Sequence, residues 1–209
     1  MNKMVWTMLL VSMPMMSFAQ NTWEKKETKK EDAAKVVEVA KPNPDAKYLK
    51  GAVPVEDGKV VFRKEIKAPG KTAFQIYNIV GKFLQDETKE DNQLNSSLVK
   101  ADTTDYELGA RYEEWLVFRN NAISLDRTRF YYVLIAKCQN GKVTIEMCHI
   151  KFFYEEERNP QRYKAEEWIT DEEAVNKKNT KLLPFSGKFR RKTIDRKDYL
   201  FDKLEGLLK

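Results

Sequence analysis

The chain has 209 residues, a third of them charged, and a formal charge of +6 from 38 Lys and Arg against 32 Asp and Glu. Lysine and glutamate are interspersed almost everywhere, so no face gathers the positive excess that a nucleic-acid binder concentrates. A single His excludes His-rich metal sites, and no G-x-S-x-G elbow, phosphate-cradling P-loop or H-E-x-x-H motif occurs.

The chain opens with Lys3, an apolar run over Met4–Met16, and the small residues Ser17 and Ala19 at the two positions a signal peptidase reads. This pattern predicts a signal peptide over 1–19, cleaved before Gln20. The run is too short for a bilayer-spanning helix, which wants about 20 apolar residues; the alternative is an uncleaved N-terminal anchor. No Cys follows the run, so a lipid anchor is disfavoured. The expected product is an exported protein, periplasmic or secreted, with no transmembrane helix in its mature chain. Loss of Lys3 would leave a charge of 6 − 1 = +5.

Residues 20–47 alternate charges, carry Val36, Val37 and Val39 as a small apolar cluster, and include a Pro-Asn-Pro break at 42–44. Such a composition buries too little apolar surface to offset the entropy of ordering, and predicts a flexible tether. A single domain is expected over 48–209.

Its first strand is announced by Pro54 and the turn Glu56-Asp57-Gly58. Val60, Phe62 and Ile66 follow on alternate positions, with Arg63 and Glu65 outward. Pro69-Gly70 ends the strand, and Thr72 is an N-cap for a helix that aligns Ala73, Ile76, Tyr77, Val80 and Leu84 on one face. "SSLVKAD" reads as a weak strand. In "YELGARYEEWLVF", Leu108, Ala110, Tyr112, Leu116 and Phe118 share one face, with Glu114 as the misfit. Between Phe118 and Arg129 the pattern allows either a turn or a continued strand.

"RFYYVLIAKC" and "KVTIEMCHIKFFY" flank Asn140-Gly141, the residues of a type I′ hairpin turn. Pairing Gln139 with Lys142 sets Cys138 opposite Val143 and Cys148 opposite Val133. The two thiols then lie on opposite faces and beyond disulfide reach, so two free cysteines are expected. The same alternation places His149 with Phe130, Tyr132, Leu134, Val143 and Ile145, as a structural histidine.

A charged insert over 155–181 holds Trp168 and a candidate short helix. "DRKDYLFDKLEGLLK" then aligns Leu200, Leu204, Leu207 and Leu208 on a closing helix. The order is strand, helix, four antiparallel strands, helix, which is an α+β pattern.

"VPVEDGKVVF", "APGKTAFQIYNIVGKFL" and, more loosely, "WLVF…ISLDRT…YYVLIAKCQNGKVTIEM" resemble an exported Bacteroidetes family of domains of unknown function described as TATA-binding-protein-like (TBP-like). The resemblance covers roughly 48–154 and the closing helix. It implies a curved antiparallel sheet with two helices on one face, and it brings no catalytic residue; the insert at 155–181 fits it poorly. Fold does not imply function, and an exported protein does not meet the chromosome. The basic run "KFRRKTIDRKD" is read as the solvated start of a helix, so no nucleic-acid partner is expected.

Carboxylate pairs such as Glu113-Glu114 and Glu166-Glu167 diverge on any regular element and read as solvated surface. No catalytic residue, metal site or cofactor is assigned. The most informative feature is the second face of the hairpin, where simple alternation gathers Tyr131, Val133, Ile135, Ile150, Phe152 and Tyr154. A sheet covered by helices on one side should be polar on the other, and exposed apolar patches mark interaction sites. These six residues are the candidate binding surface for a protein, peptide or glycan. Cover by the tether, the insert or a second chain is the structural alternative. Three readings follow: a non-enzymatic envelope binding module, a structural or homodimerising protein, and an enzyme with a dispersed carboxylate or thiol site.

Overall fold

The computed structural model describes residues 43–122 and 124–209. The expected signal peptide and most of the tether fall outside these residues. Among the described residues no helix is long and apolar enough to cross a membrane.

The first described elements are a turn of 3-10 helix, Ala46–Tyr48, and a two-residue hairpin of β1 (Val55–Glu56) and β2 (Lys59–Val60). Asp57 and Gly58, with φ of +49° and +72°, make its tight turn. β3 (Phe62–Lys67) leads into α1 (Ala73–Glu87), then come β4 (Ser97–Asp102), β5 (Glu107–Asn120), β6 (Leu125–Gln139) and β7 (Lys142–Tyr154). The insert supplies β8 (Gln161–Lys164), α2 (Ala165–Trp168) and α3 (Asp171–Ala174), and α4 (Ser186–Leu208) closes the chain.

The main sheet is antiparallel with order β3-β7-β6-β5-β4. β8 joins the same edge of β7 as β3 does, one at each end: β3 pairs residues 142–147 and β8 pairs residues 151–154. Helices α1 and α4 pack on one face of this sheet and bury one continuous core between them. The expected α+β, TBP-like order is thus present, with a small N-terminal hairpin and an extra edge strand added.

Local chemistry explains the start of α1. Thr72 Oγ1 accepts from the Gln75 amide at 3.3 Å, and Gln75 Oε1 accepts from the Thr72 amide at 2.9 Å, closing a capping box. Asn140, in the β6–β7 turn, also accepts from the Ala73 amide at 2.8 Å, which ties the hairpin tip to the helix. The β6–β7 register starts as expected, with Gln139 opposite Lys142, Cys138 opposite Val143 and Val133 opposite Cys148. Both cysteines are free.

The register then breaks. Val133 pairs with Cys148 but Tyr131 pairs with Lys151, so His149 and Ile150 together oppose Tyr132. His149 takes a left-handed backbone (φ +55°) and is exposed. This β-bulge inserts one residue into β7 and reverses its alternation. Val143, Ile145 and Met147 face the helices before it, and Ile150 and Phe152 face them after it. His149 is therefore not a core residue, and Ile150 and Phe152 do not share a face with Tyr131, Val133 and Ile135.

Helix α4 begins at Ser186, so the basic run is not a solvated lead-in. Phe189, Arg190, Thr193, Ile194 and Arg196 are all buried. Leu200, Leu204 and Leu208 are fully buried, whereas Leu207 is 50% exposed and lies off the apolar stripe. The misfit Glu114 meets its partner here. Arg196 Nε lies 2.8 Å from Glu114 Oε1, Arg196 Nη2 reaches Glu87 at 3.3 Å, and Lys203 Nζ lies 2.5 Å from Glu87. Asn92 and Gln93 donate to the other Glu114 oxygen. Burial opposes the charge on Arg196, but the Glu114 carboxylate beside it outweighs that and holds the guanidinium charged.

The insert packs on the first turns of α4. Trp168 stacks on Tyr163 with centroids 4.0 Å apart, and Phe189 meets both rings edge-on. Arg190 donates to the carbonyls of Tyr48, Leu49 and Ile169 and to Asp171, at 2.6–2.8 Å. Residues 43–47, which composition assigns to the tether, are held to the domain: Asn43 Nδ2 donates to the Thr180 carbonyl at 2.7 Å, Asp45 pairs with Arg191, and Lys47 pairs with Asp195 at 2.6 Å.

Candidate ligand-binding face

The helix-free face is organised by cross-strand rows, because each register pair places two side chains next to one another. Toward the β5–β6 hairpin tip, one row runs Trp115, Arg129, Phe153 and Arg162 across β5, β6, β7 and β8. Aromatic and guanidinium groups thus alternate along it. The next row inward runs Glu113, Tyr131, Lys151 and Lys164. Val133, Ile135 and Cys148 occupy the rows beyond.

Side-chain contacts knit the rows together. Arg129 pairs with Glu113 at 3.0 Å and with Glu156 at 2.8 Å, and Tyr131 Oη donates to Glu113 at 3.2 Å. Burial, then the nearby Glu113 charge, raises the Tyr131 phenol above its ordinary value. The Arg127 guanidinium lies 3.7 Å from the centroid of the Trp115 ring, and Arg162 lies 4.1 Å from that of Phe153. Such stacking shields the rings from water and holds the guanidinium planes in place.

Beside this row the sheet opens into a cleft of about 490 Å³. Trp115, Arg127 and Phe153 form its floor; the end of β5, the β5–β6 turn and the start of β6 supply Arg119, Ser124 and Leu125; and the β7–β8 turn supplies Glu155, Glu156, Glu157 and Arg158. The volume is within the range that holds small ligands or a few residues of a peptide. Leu125, 53% exposed, is the apolar part of the rim.

Of the six residues proposed from alternation, Tyr131, Val133 and Ile135 do lie on the helix-free face, each half-buried. Ile150 and Phe152, each 1% exposed, belong to the core. Tyr154 turns toward the helices as well: its ring packs edge-on against Phe189 and Phe118, and its hydroxyl donates to Asp126 at 2.9 Å. Lys188 from α4 donates to both Asp126 and Tyr154. Burial, with the Asp126 hydrogen bond behind it, raises the Tyr154 phenol. Tyr154 still edges the cleft. Trp115 and Phe153, outside the six, share this face with Tyr131: the bulge turns Phe153 onto it, and Trp115 reaches it from β5 through the Arg129 pairing.

The thiols do not favour nucleophilic chemistry. Burial pushes Cys138 up to about 12, and burial with the Glu146 charge pushes Cys148 up to about 11, so both are protonated at neutral pH. Among the described residues no group of three or more His, Cys, Asp or Glu could hold a metal ion.

The family profile described as a domain of unknown function (DUF4468) with TBP-like fold matches residues 62–153. A crystal structure of a DUF4468 family protein from Bacteroides ovatus ATCC 8483 is 41% identical, with 78% of this chain and 94% of that one covered and a TM-score of 0.74. The chain belongs to the DUF4468 family. The crystal structure of a TBP-like protein from Parabacteroides distasonis ATCC 8503 is 18% identical over 75% of this chain and 96% of that one, with a TM-score of 0.62, and speaks to the shared fold. Comparison with curated proteins found no match. In this DUF4468 domain the profile match ends at Phe153, so the cleft joins a wall inside the matched region to one just past it.

Proposed function

We propose that this DUF4468 protein is an exported, non-enzymatic binding module that holds a protein, peptide or glycan partner on its helix-free sheet face. The leader pattern at 1–19 supports export. The observation that carries the binding reading is the cleft beside the row, where the rings of Trp115 and Phe153 and the guanidiniums of Arg119, Arg127 and Arg158 line a space that no side chain of the described residues fills. Aromatic and arginine side chains dominate recognition surfaces, because they offer large, stiff contact area with directional donors. The protonated thiols and the engagement of most nearby carboxylates in ion pairs argue against turnover chemistry there.

The test is site-specific photo-cross-linking in the native host, with benzoylphenylalanine at Tyr131 or Ser124 on the sheet side and at Asn78, an exposed position of α1, on the helix side. Defined adducts from 131 and 124 but not from 78 are the expected result. Equal yields from all three positions would overturn the reading. Adducts consisting only of a second copy of the chain would replace it with homodimerisation.

A further inference from the structure

Resting on the reading of this face as a binding surface, we infer that its occupant is an acidic peptide segment whose carboxylates are received by the stacked guanidiniums of Arg127 and Arg162, with Arg119 and Arg158 at the cleft rim.

Charge accounting within the cleft leads there. Two of its four acids are committed: Asp126 pairs with Lys188 at 2.7 Å and Glu156 with Arg129 at 2.8 Å. Among the described residues, by contrast, Arg119, Arg127 and Arg158 in the cleft, and Arg162 beside it on Phe153, make no ion pair with a carboxylate. Four guanidiniums are left beside two acids without an ion pair, Glu155 and Glu157.

Geometry sharpens the preference. A guanidinium 3.7 Å above an indole cannot aim its donors into the ring, so they project past its edge. The planar fork then meets a planar carboxylate with two parallel hydrogen bonds, and the stacking has already removed much of the side chain's freedom. Trp115 and Phe153 share a row and each carries a guanidinium, that of Arg127 from the neighbouring row of β6 and that of Arg162 from the adjacent strand β8. The acidic wall at 155–157 tells against a long uniform polyanion such as a sulfated glycan, which would run against it. A peptide can place its carboxylates on the arginines and a neutral or basic residue beside Glu157.

The test follows the Trp115 indole N–H of the isotopically labelled protein by NMR during titration with blocked hexaglutamate, blocked hexaglutamine and heparin. The expected result is saturable binding of hexaglutamate alone, weakened about tenfold by R127Q and by R162Q. R127K keeps the charge but not the fork and should restore only part of the affinity. Unchanged urea midpoints would show that the variants remain folded. Equal binding of hexaglutamine, equal affinity in R127Q, or stronger binding of heparin would each overturn the inference. If hexaglutamate fails while cross-links from 131 and 124 persist, the binding face stands and only its carboxylate preference falls.

Discussion

Nε of Arg196 lies 2.8 Å from Oε1 of Glu114, joining helix α4 to the middle of β5 inside a core closed to water. Glu87 and Lys203 complete the cluster, so two carboxylates face two cations. Breaking a buried pair from one side leaves an uncompensated charge. R196M should therefore destabilise the protein by about 3–5 kcal/mol, whereas E114L combined with R196M should recover much of that loss. Urea unfolding of the two variants measures the difference.

Arg190 is predicted to fix the path of the chain into the domain. Its four hydrogen bonds bring the Tyr48 and Leu49 carbonyls, α2 and α3 onto α4. R190M leaves those carbonyls without donors and should cost about 2–4 kcal/mol. Amide exchange should rise first at residues 46–53 and 169–175, ahead of the sheet.

His149 should accept glycine and reject β-branched residues. Its positive φ is strained for any side chain, and H149V should cost about 1–2 kcal/mol. H149G should be neutral or slightly stabilising. Thermal unfolding of the pair distinguishes a bulge fixed by this backbone from one that merely tolerates it.

Both thiols should resist modification in the native state. With Cys148 at about 11 and Cys138 at about 12, raising the pH from 7 to 9 generates little thiolate in the fold, whereas the unfolded chain ionises near 8.5. Labelling by a disulfide reagent at pH 8 should be slow in buffer and fast in denaturing urea, with two equivalents taken up.

Much of the fold is legible because local rules decide it. Asn140-Gly141 sets the β6–β7 register through turn geometry, and that register holds as far as Cys148. Thr72 and Gln75 mark the start of α1 in the same way. What is not legible depends on distant partners. Glu114 is visible as a misfit, but its partner lies 82 positions away in a run whose charges resemble a solvated helix start. The bulge at His149 carries no glycine to announce it, so alternation carried past it misplaces Ile150 and Phe152. Strand β8 is short and charged, and only β7's free edge makes it a strand. The cleft comes from two turns meeting across the sheet, which no single segment encodes.

The division of this sheet into core and binding face at the His149 bulge carries the functional proposal, and paired unfolding of Y131S and F152S tests it most directly. Phe152 is enclosed by Phe130 and Phe189 and should cost about 3–5 kcal/mol when truncated. Tyr131, half-buried on the helix-free face, should cost no more than about 1 kcal/mol by losing its single hydrogen bond and partial packing. That gap is the predicted result. Equal losses at the two positions would mean that both faces are interior, and would contradict the account.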